Sequence, residues 1–167
     1  MLYNITKVSQ HSIIKPLILN YIDTCEYVNI NKPDEKISKT DWYGSNHSPR
    51  DYFKYLEYLF NVDMTESYKQ LGGSGIDVKN IWFHQYLNNE YYDWHIHPDC
   101  HFTNIYYVEH DKFQTQTEFK DPYTKQIFRY DVAEGYVITV PAFVFHRSPP
   151  CQNYRKTIIA FNADLLH

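Results

Sequence analysis

The chain has 167 residues, with 16 Lys and Arg against 20 Asp and Glu, and a formal net charge of −4. This length fits one domain that buries a sizeable core without disulfides or a structural metal. Basic residues are spread among acidic ones, so no basic stripe indicates a nucleic-acid partner. The N-terminus lacks the basic, apolar and small-residue order of a signal peptide, and no stretch resembles a membrane span. We therefore expect a cytoplasmic protein without a membrane partner.

The three cysteines, Cys25, Cys100 and Cys151, are odd in number and form no CxxC pair. This pattern is typical of ordinary thiols in a reducing compartment rather than of a disulfide framework.

Residues 1–75 are predicted to be mostly helical. Apolar residues recur at roughly helical spacing between Ser12 and Cys25. A cap followed by Pro and an acid, Ser48 to Asp51, predicts the start of a second helix. A short third helix is expected from Met64 to Leu71, ended by the following Gly72-Gly73 pair.

The pattern changes to a period of two after Gly75, with short runs rich in β-branched and aromatic residues separated by turn-forming clusters. Seven strands are expected, at 78–86, 91–97, 102–109, 115–119, 126–130, 136–140 and 156–162. At least seven short strands after a helical segment predict a mainly β (α+β) fold, closed or sandwiched, with the helices packed on one side. We treat 1–167 as a single domain with a β core over 76–167.

Histidines cluster in the segment from Trp94 to His101. On a strand, His95 and His97 share one face, and Pro98 is expected to end that strand. Two such imidazoles and a distant third ligand can occupy one face of an octahedral metal, leaving the other face open. An isolated HxH pair is more often structural, and the remaining histidines are interpreted that way: His11, His47, His84, His110 and His167.

A C-terminal segment adds a glycine turn at Gly135, a buried strand, a distal His146, and then Arg155 before a final strand. With these pieces the chain resembles the 2-oxoglutarate- and iron(II)-dependent oxygenases, and most of all a small group from phages and bacteria. The resemblance covers roughly residues 80–163, and the segment 39–42 also looks like that group. The matching pieces are His95-Ile96-His97-Pro98, Thr103 to Val108, Gly135, His146, and Arg155 leading to Ile159-Ala160-Phe161-Asn162.

The resemblance implies a double-stranded β-helix (jelly roll), with Fe(II), 2-oxoglutarate and O2 as cofactor and co-substrates. It implies iron binding by His95, His97 and His146, and a carboxylate anchor at Arg155. Arginine suits that role because its guanidinium binds a carboxylate through two parallel hydrogen bonds. Tyr107 is expected to contact the same carboxylate, and Thr103 and Tyr86 are weaker candidates for lining the pocket.

Two alternatives for the metal and two for the function stay open. The more common HxD spacing is also present as His97-Pro98-Asp99, so Asp99 is an alternative ligand to His95. A cupin-like dioxygenase or isomerase would use three histidines without 2-oxoglutarate, and a metal-free jelly-roll binding or virion protein would use neither. The sequence identifies neither the substrate nor the oligomeric state. Trp42, Tyr43 and Asn46 are conjectured to cover the mouth of the site.

Overall fold

The computed structural model describes residues 3–42 and 50–167. Its helical segments are α1 (His11–Thr24), a 3₁₀ helix (Asp51–Leu56), a π turn (Leu59–Asp63) and α2 (Thr65–Gln70). The strands are β1 (Asn4–Lys7), β2 (Val28–Lys32), β3 (Glu35–Thr40), β4 (Gly75–Tyr86), β5 (Tyr91–His95), β6 (Phe102–Glu109), β7 (Glu118–Lys120), β8 (Ile127–Arg129), β9 (Tyr136–Pro141), β10 (Phe145–Ser148) and β11 (Lys156–Leu166).

The predicted helices over 12–25 and 64–71 are confirmed to within one residue at each end. Gly72, with φ of +88°, follows α2 in the left-handed conformation that ends helices. The predicted start at 48–51 lies partly outside the described residues, and a 3₁₀ helix begins at Asp51. The expectation of a mostly helical N-terminal part was wrong in one respect, because three strands (β1, β2 and β3) also lie before residue 75.

The strands pair in the order β1-β9-β6-β11-β4-β3-β5-β10-β7-β8, with β2 on the free side of β3. All of these pairs are antiparallel. Strand β3 joins the two halves of the sheet, since its end pairs with β4 and its start pairs with β5. The N-terminal hairpin is therefore part of the β core.

Two apolar clusters show how the sheet folds over on itself. Tyr107 and Ile158, from the middle of the pairing order, pack in one cluster with Phe119 of β7 and Ile37 of β3. These strands are distant along the sheet, so its two halves face each other as in a double-stranded β-helix. The predicted fold class is confirmed.

The helices cover the outer face of one half of the sheet. Tyr106 and Ile159, which follow the inward-facing Ile105 and Ile158 and point the opposite way, pack in a second cluster with Ile18 of α1. This arrangement confirms the prediction of helices on one side. No helix in residues 3–42 and 50–167 combines the length and the apolar character needed to cross a bilayer.

Asp41 links the helical layer to the sheet. Its carboxylate accepts hydrogen bonds from the Tyr52 hydroxyl (2.9 Å) and the Phe83 N–H (2.8 Å), and pairs with Arg50 (3.3 Å). We expect Asp41→Ala to lower the free energy of unfolding by about 3 kcal/mol, because it leaves two buried donors without an acceptor and removes the ion-pair partner of the half-buried Arg50. Urea denaturation measures this loss, and Tyr52→Phe, which removes one bond, should cost about 1 kcal/mol. A loss below 1 kcal/mol in Asp41→Ala would contradict this role.

Candidate metal centre and its cavity

His95, His97 and His146 form a cluster in which one nitrogen of each imidazole lies within 4.8 Å of the others. Strand pairing brings two of them together, since His95 lies directly opposite His146 in the β5–β10 register. The third histidine, His97, does not lie on the strand as predicted. Strand β5 ends at His95, and the backbone N–H of His97, beyond the strand, donates to the Ala142 carbonyl (3.2 Å). The expectation that Pro98 ends the strand was therefore wrong by two residues.

Hydrogen bonds to backbone carbonyls orient two of the rings. Nδ1 of His95 lies 2.7 Å from the Asp93 carbonyl, and Nδ1 of His146 lies 2.9 Å from the Val144 carbonyl. A carbonyl only accepts, so each Nδ1 carries the proton and each Nε2 keeps its lone pair. Support of this kind on the second nitrogen is typical of metal-binding histidines.

The third ring completes a site suited to a cation. Nε2 of His97 lies 3.2 Å from Nε2 of His146. Two imidazole nitrogens at this distance either share a proton or bind the same cation. Burial lowers the pKa of all three histidines to about 3, so the rings are neutral at physiological pH and their lone pairs are available.

Asp99, the alternative ligand, is not part of this cluster. It is exposed and has a φ of +62°, in the turn after His97. Among the described residues, the histidine triple is the group whose ligand atoms converge. The geometry therefore favours the His95, His97 and His146 set over the set with Asp99.

The cluster lies in a cavity between the two halves of the sheet, and the empty space of the cavity together with the open solvent at its mouth is about 390 Å³. The cavity is lined by Trp82, His84, Tyr86, Tyr92, His95, His97, Thr103, Ile105, Thr117, His146, Arg147, Ser148, Lys156, Ile158 and Ala160.

Lys156 lies at one end of the cavity, and Trp82 and His97 lie at the opposite end. The Lys156 side chain is 1% exposed, and its ammonium lies 3.2 Å from the Ser148 hydroxyl and 5.9 Å from the centroid of the Tyr86 ring. Burial lowers its pKa. Within residues 3–42 and 50–167, no carboxylate lies within ion-pair distance of this ammonium.

Arg155 does not line the cavity, which corrects the expectation that it anchors a carboxylate there. Its guanidinium is 41% exposed and binds Glu109 through two hydrogen bonds of 2.9 Å. The physical reason is strand parity. Adjacent residues on a strand point to opposite faces, and β11 turns Lys156 inward together with Ile158 and Ala160.

A second cation at the cavity is already neutralised. Arg147 donates to Glu118 (2.6 Å), and its guanidinium lies over the Trp94 ring. Of the two cations that line the cavity, Lys156 is thus the one without a carboxylate partner in the described part of the chain.

The other residues predicted for the pocket lie in or beside it. Tyr86 and Thr103 line the cavity, and the hydroxyl of Thr103 is buried without a hydrogen-bond partner among the described residues. Tyr107 lies with its ring centroid 5.8 Å from the Lys156 ammonium, and its hydroxyl donates to Thr117 (2.6 Å).

Two tryptophan rings lie at the end of the cavity next to the histidine cluster. Trp82 lies 5.3 Å from the His97 ring, and Trp42 packs edge-on against Trp82 at 4.3 Å. The other residues conjectured to cover the mouth, Tyr43 and Asn46, lie outside the described residues. His84 lines the cavity, although the sequence offered no motif that distinguishes it from the other histidines.

Comparisons with solved structures show the same fold in oxygenases. A 2OG-Fe(II) oxygenase family oxidoreductase from Burkholderia pseudomallei has a TM-score of 0.69 at 12% identity, over 89% of this chain and 77% of that one. The viral collagen prolyl hydroxylase of Paramecium bursaria Chlorella virus-1, in complex with 2OG, has a TM-score of 0.69 at 13% identity, over 98% and 96%.

The alpha-ketoglutarate-dependent epimerase SnoN of nogalamycin biosynthesis also matches, with a TM-score of 0.73 at 9% identity over 96% and 76% of the two chains. A hydroxylase and an epimerase therefore share this fold. No protein-family model and no curated protein sequence matches the chain. The comparisons support the resemblance to 2-oxoglutarate- and iron(II)-dependent oxygenases at the level of the fold.

Proposed function

We propose that the protein is a single-domain Fe(II)- and 2-oxoglutarate-dependent oxygenase that hydroxylates a substrate still to be identified. One observation carries the proposal. A single cavity holds three converging neutral imidazoles together with a buried lysine that has no carboxylate partner in the described residues. This pair of features fits a ligand that bridges a metal ion and a cation.

His95, His97 and His146 would hold the iron. Imidazole nitrogens are suitable ligands for Fe(II), and ligands gathered on one side leave the other side open. Bound iron would supply oxygen activation coupled to the decarboxylation of 2-oxoglutarate. Because all three protein ligands are neutral, the negative charge that balances the metal would come from the dianionic co-substrate.

Lys156 would anchor the far carboxylate of 2-oxoglutarate. A buried charge without a counter-ion is costly, and a carboxylate that binds beside it supplies the missing ion pair. Ser148 and the Tyr86 ring hold the ammonium in place. In this proposal, Lys156 takes the role of carboxylate anchor that the resemblance implied for Arg155. The use of 2-oxoglutarate as co-substrate is unchanged.

The walls of the cavity would keep water away from the reacting atoms. Ile105, Ile158 and Ala160 present apolar side chains between the lysine and the histidines. Trp82 closes the side next to His97. Excluding water strengthens the electrostatic interactions inside such a site and limits side reactions.

A cupin-like enzyme that does not use 2-oxoglutarate is the second candidate, and the absence of a carboxylate from the histidine triple favours it. Lys156 distinguishes the two candidates, because a metal site without a dicarboxylate needs no buried cation. A metal-free binding protein would need neither feature. We also propose a cytoplasmic location, because free cysteines, such as those of the described residues, are typical of proteins in a reducing compartment.

Anaerobic absorption spectroscopy tests the proposal. Adding Fe(II) and then 2-oxoglutarate to the purified protein should produce a visible charge-transfer band that requires both additions. Iron binding without the band would favour the cupin-like candidate, and no iron binding would reject both metal-dependent functions.

A further inference from the structure

A row of three side chains on β4 follows the cavity from the histidine cluster to the lysine. Trp82, His84 and Tyr86 are two residues apart and share one face of the strand. Trp82 is next to His97 at one end, and Tyr86 pairs with Lys156 at the other. His84 lies midway, opposite Ile158 of β11, and is 3% exposed.

A hydrogen bond from Trp82 determines which nitrogen of His84 carries the proton. The indole nitrogen lies 3.0 Å from Nε2 of His84, and an indole N–H only donates. Nε2 is therefore the acceptor, and the proton of the neutral ring is on Nδ1. A ring that accepts a hydrogen bond at Nε2 has no proton there, so His84 is the neutral imidazole.

The resulting Nδ1–H is a buried donor without an acceptor in the described part of the chain. Buried polar groups in native proteins nearly always have a partner, so an exception inside a cavity indicates a ligand atom. The neighbouring cavity rings are Tyr86 at 5.8 Å and Tyr92 at 5.7 Å from the His84 ring. A neutral donor held in one orientation suits an oxygen acceptor on the ligand.

The position of His84 selects the end of the ligand that it meets. A 2-oxo dicarboxylate has oxygens at both ends and methylene groups between them. His84 lies two residues further from Lys156 than Tyr86 does, which is about 7 Å along the strand toward the histidines. The oxygens that it faces are then those of the 2-oxo acid end, since Lys156 takes the other carboxylate.

We propose that His84 is a further binding residue, whose Nδ1–H donates a hydrogen bond to an oxygen at the 2-oxo acid end of the co-substrate, with Trp82 fixing the tautomer. This inference rests on the proposed function. It implies selectivity for 2-oxo dicarboxylates over a monocarboxylate of the same length. Pentanoate, which has one carboxylate and no oxygen on the rest of its chain, can reach Lys156 but offers no acceptor to His84.

Calorimetry under nitrogen on the Fe(II)-loaded protein provides the first test. His84→Phe should weaken 2-oxoglutarate binding about ten- to a hundredfold and leave pentanoate binding within about twofold. His101→Phe, at an exposed histidine outside the cavity, is the matched control and should change neither affinity. Equal affinity of wild type and His84→Phe for 2-oxoglutarate would overturn the inference and leave the proposed function intact. Failure of the wild type to bind 2-oxoglutarate would reject both.

Imidazole ¹⁵N spectra of the Zn(II)-loaded wild type provide a second test that needs no variant to fold and no turnover. His84 should be the Nδ1–H tautomer, and its ring proton should shift downfield on addition of 2-oxoglutarate but not of pentanoate. In Trp82→Phe, which keeps a ring but removes the donor, the Nδ1–H tautomer should no longer be the single form. An Nε2–H tautomer in the wild type, or no shift with 2-oxoglutarate, would overturn the inference.

Discussion

Lys156→Met is expected to raise the Kd for 2-oxoglutarate on the Fe(II)-loaded protein by at least about thirtyfold. The substitution removes the buried ammonium that the proposal pairs with the far carboxylate, and Met fills similar space without charge. Loss of one partner from a buried, hydrogen-bonded charge pair costs about 2–5 kcal/mol. Anaerobic titration of the charge-transfer band measures the affinity.

The neighbouring cation is the matched control for this prediction. Arg155→Met removes an equal charge one residue away, but its partner is Glu109 at the surface. Exposed ion pairs contribute at most about 1 kcal/mol to stability, and this one lies outside the cavity. We expect the Kd for 2-oxoglutarate to change by less than about twofold. A large effect of Arg155→Met with a small effect of Lys156→Met would restore the prediction made from the sequence.

Lys156→Met should make the ligand-free protein more stable, although it weakens the binding of 2-oxoglutarate. Burial without a carboxylate partner lowers the pKa of Lys156, which means that the charged form is disfavoured in the fold. Lys156→Met should therefore raise the free energy of unfolding of the ligand-free protein by about 1 kcal/mol. Higher stability with weaker binding would exclude misfolding as the cause of the lost affinity.

His146→Ala is expected to weaken Fe(II) binding by at least about a hundredfold. The substitution removes one of the three proposed ligands and the nitrogen that lies 3.2 Å from Nε2 of His97. Anaerobic iron content after desalting measures the loss. In a thermal shift assay, the stabilisation that Fe(II) gives to the wild type should disappear, because a ligand stabilises the folded state only in proportion to its binding.

Asp99→Gly is the control for the metal site. Glycine removes the carboxylate and tolerates the positive φ at this position, so backbone strain does not complicate the result. Iron content should stay at the wild-type level in Asp99→Gly and fall in His95→Ala. Full iron in His95→Ala together with its loss in Asp99→Gly would identify the other ligand set.

Much of the fold was predictable because the relevant signals are local. Apolar spacing between Ser12 and Cys25 indicated α1, and short β-branched and aromatic runs after Gly75 indicated the strands. The hairpin of β2 and β3 was missed, because its polar sequence has little apolar periodicity. It is held by pairing with β4 and β5, which only the assembled sheet reveals.

The sequence by itself identified the candidate histidines and their order, because His95 and His97 are close in the chain and His146 follows a recognisable glycine turn and strand. It left Asp99 open as an alternative to His95. Tertiary structure decided between Arg155 and Lys156. Strand β11 is covered on both faces, by the helices on one side and the other half of the sheet on the other, so apolar residues occupy both parities. Ile158 and Ile159 are equally apolar. The alternation of apolar and polar residues that normally identifies the inward face of a strand is therefore missing, and it does not show which of the two cations points inward. The inward face follows from the register with Tyr86, a pairing between distant segments that no local pattern encodes.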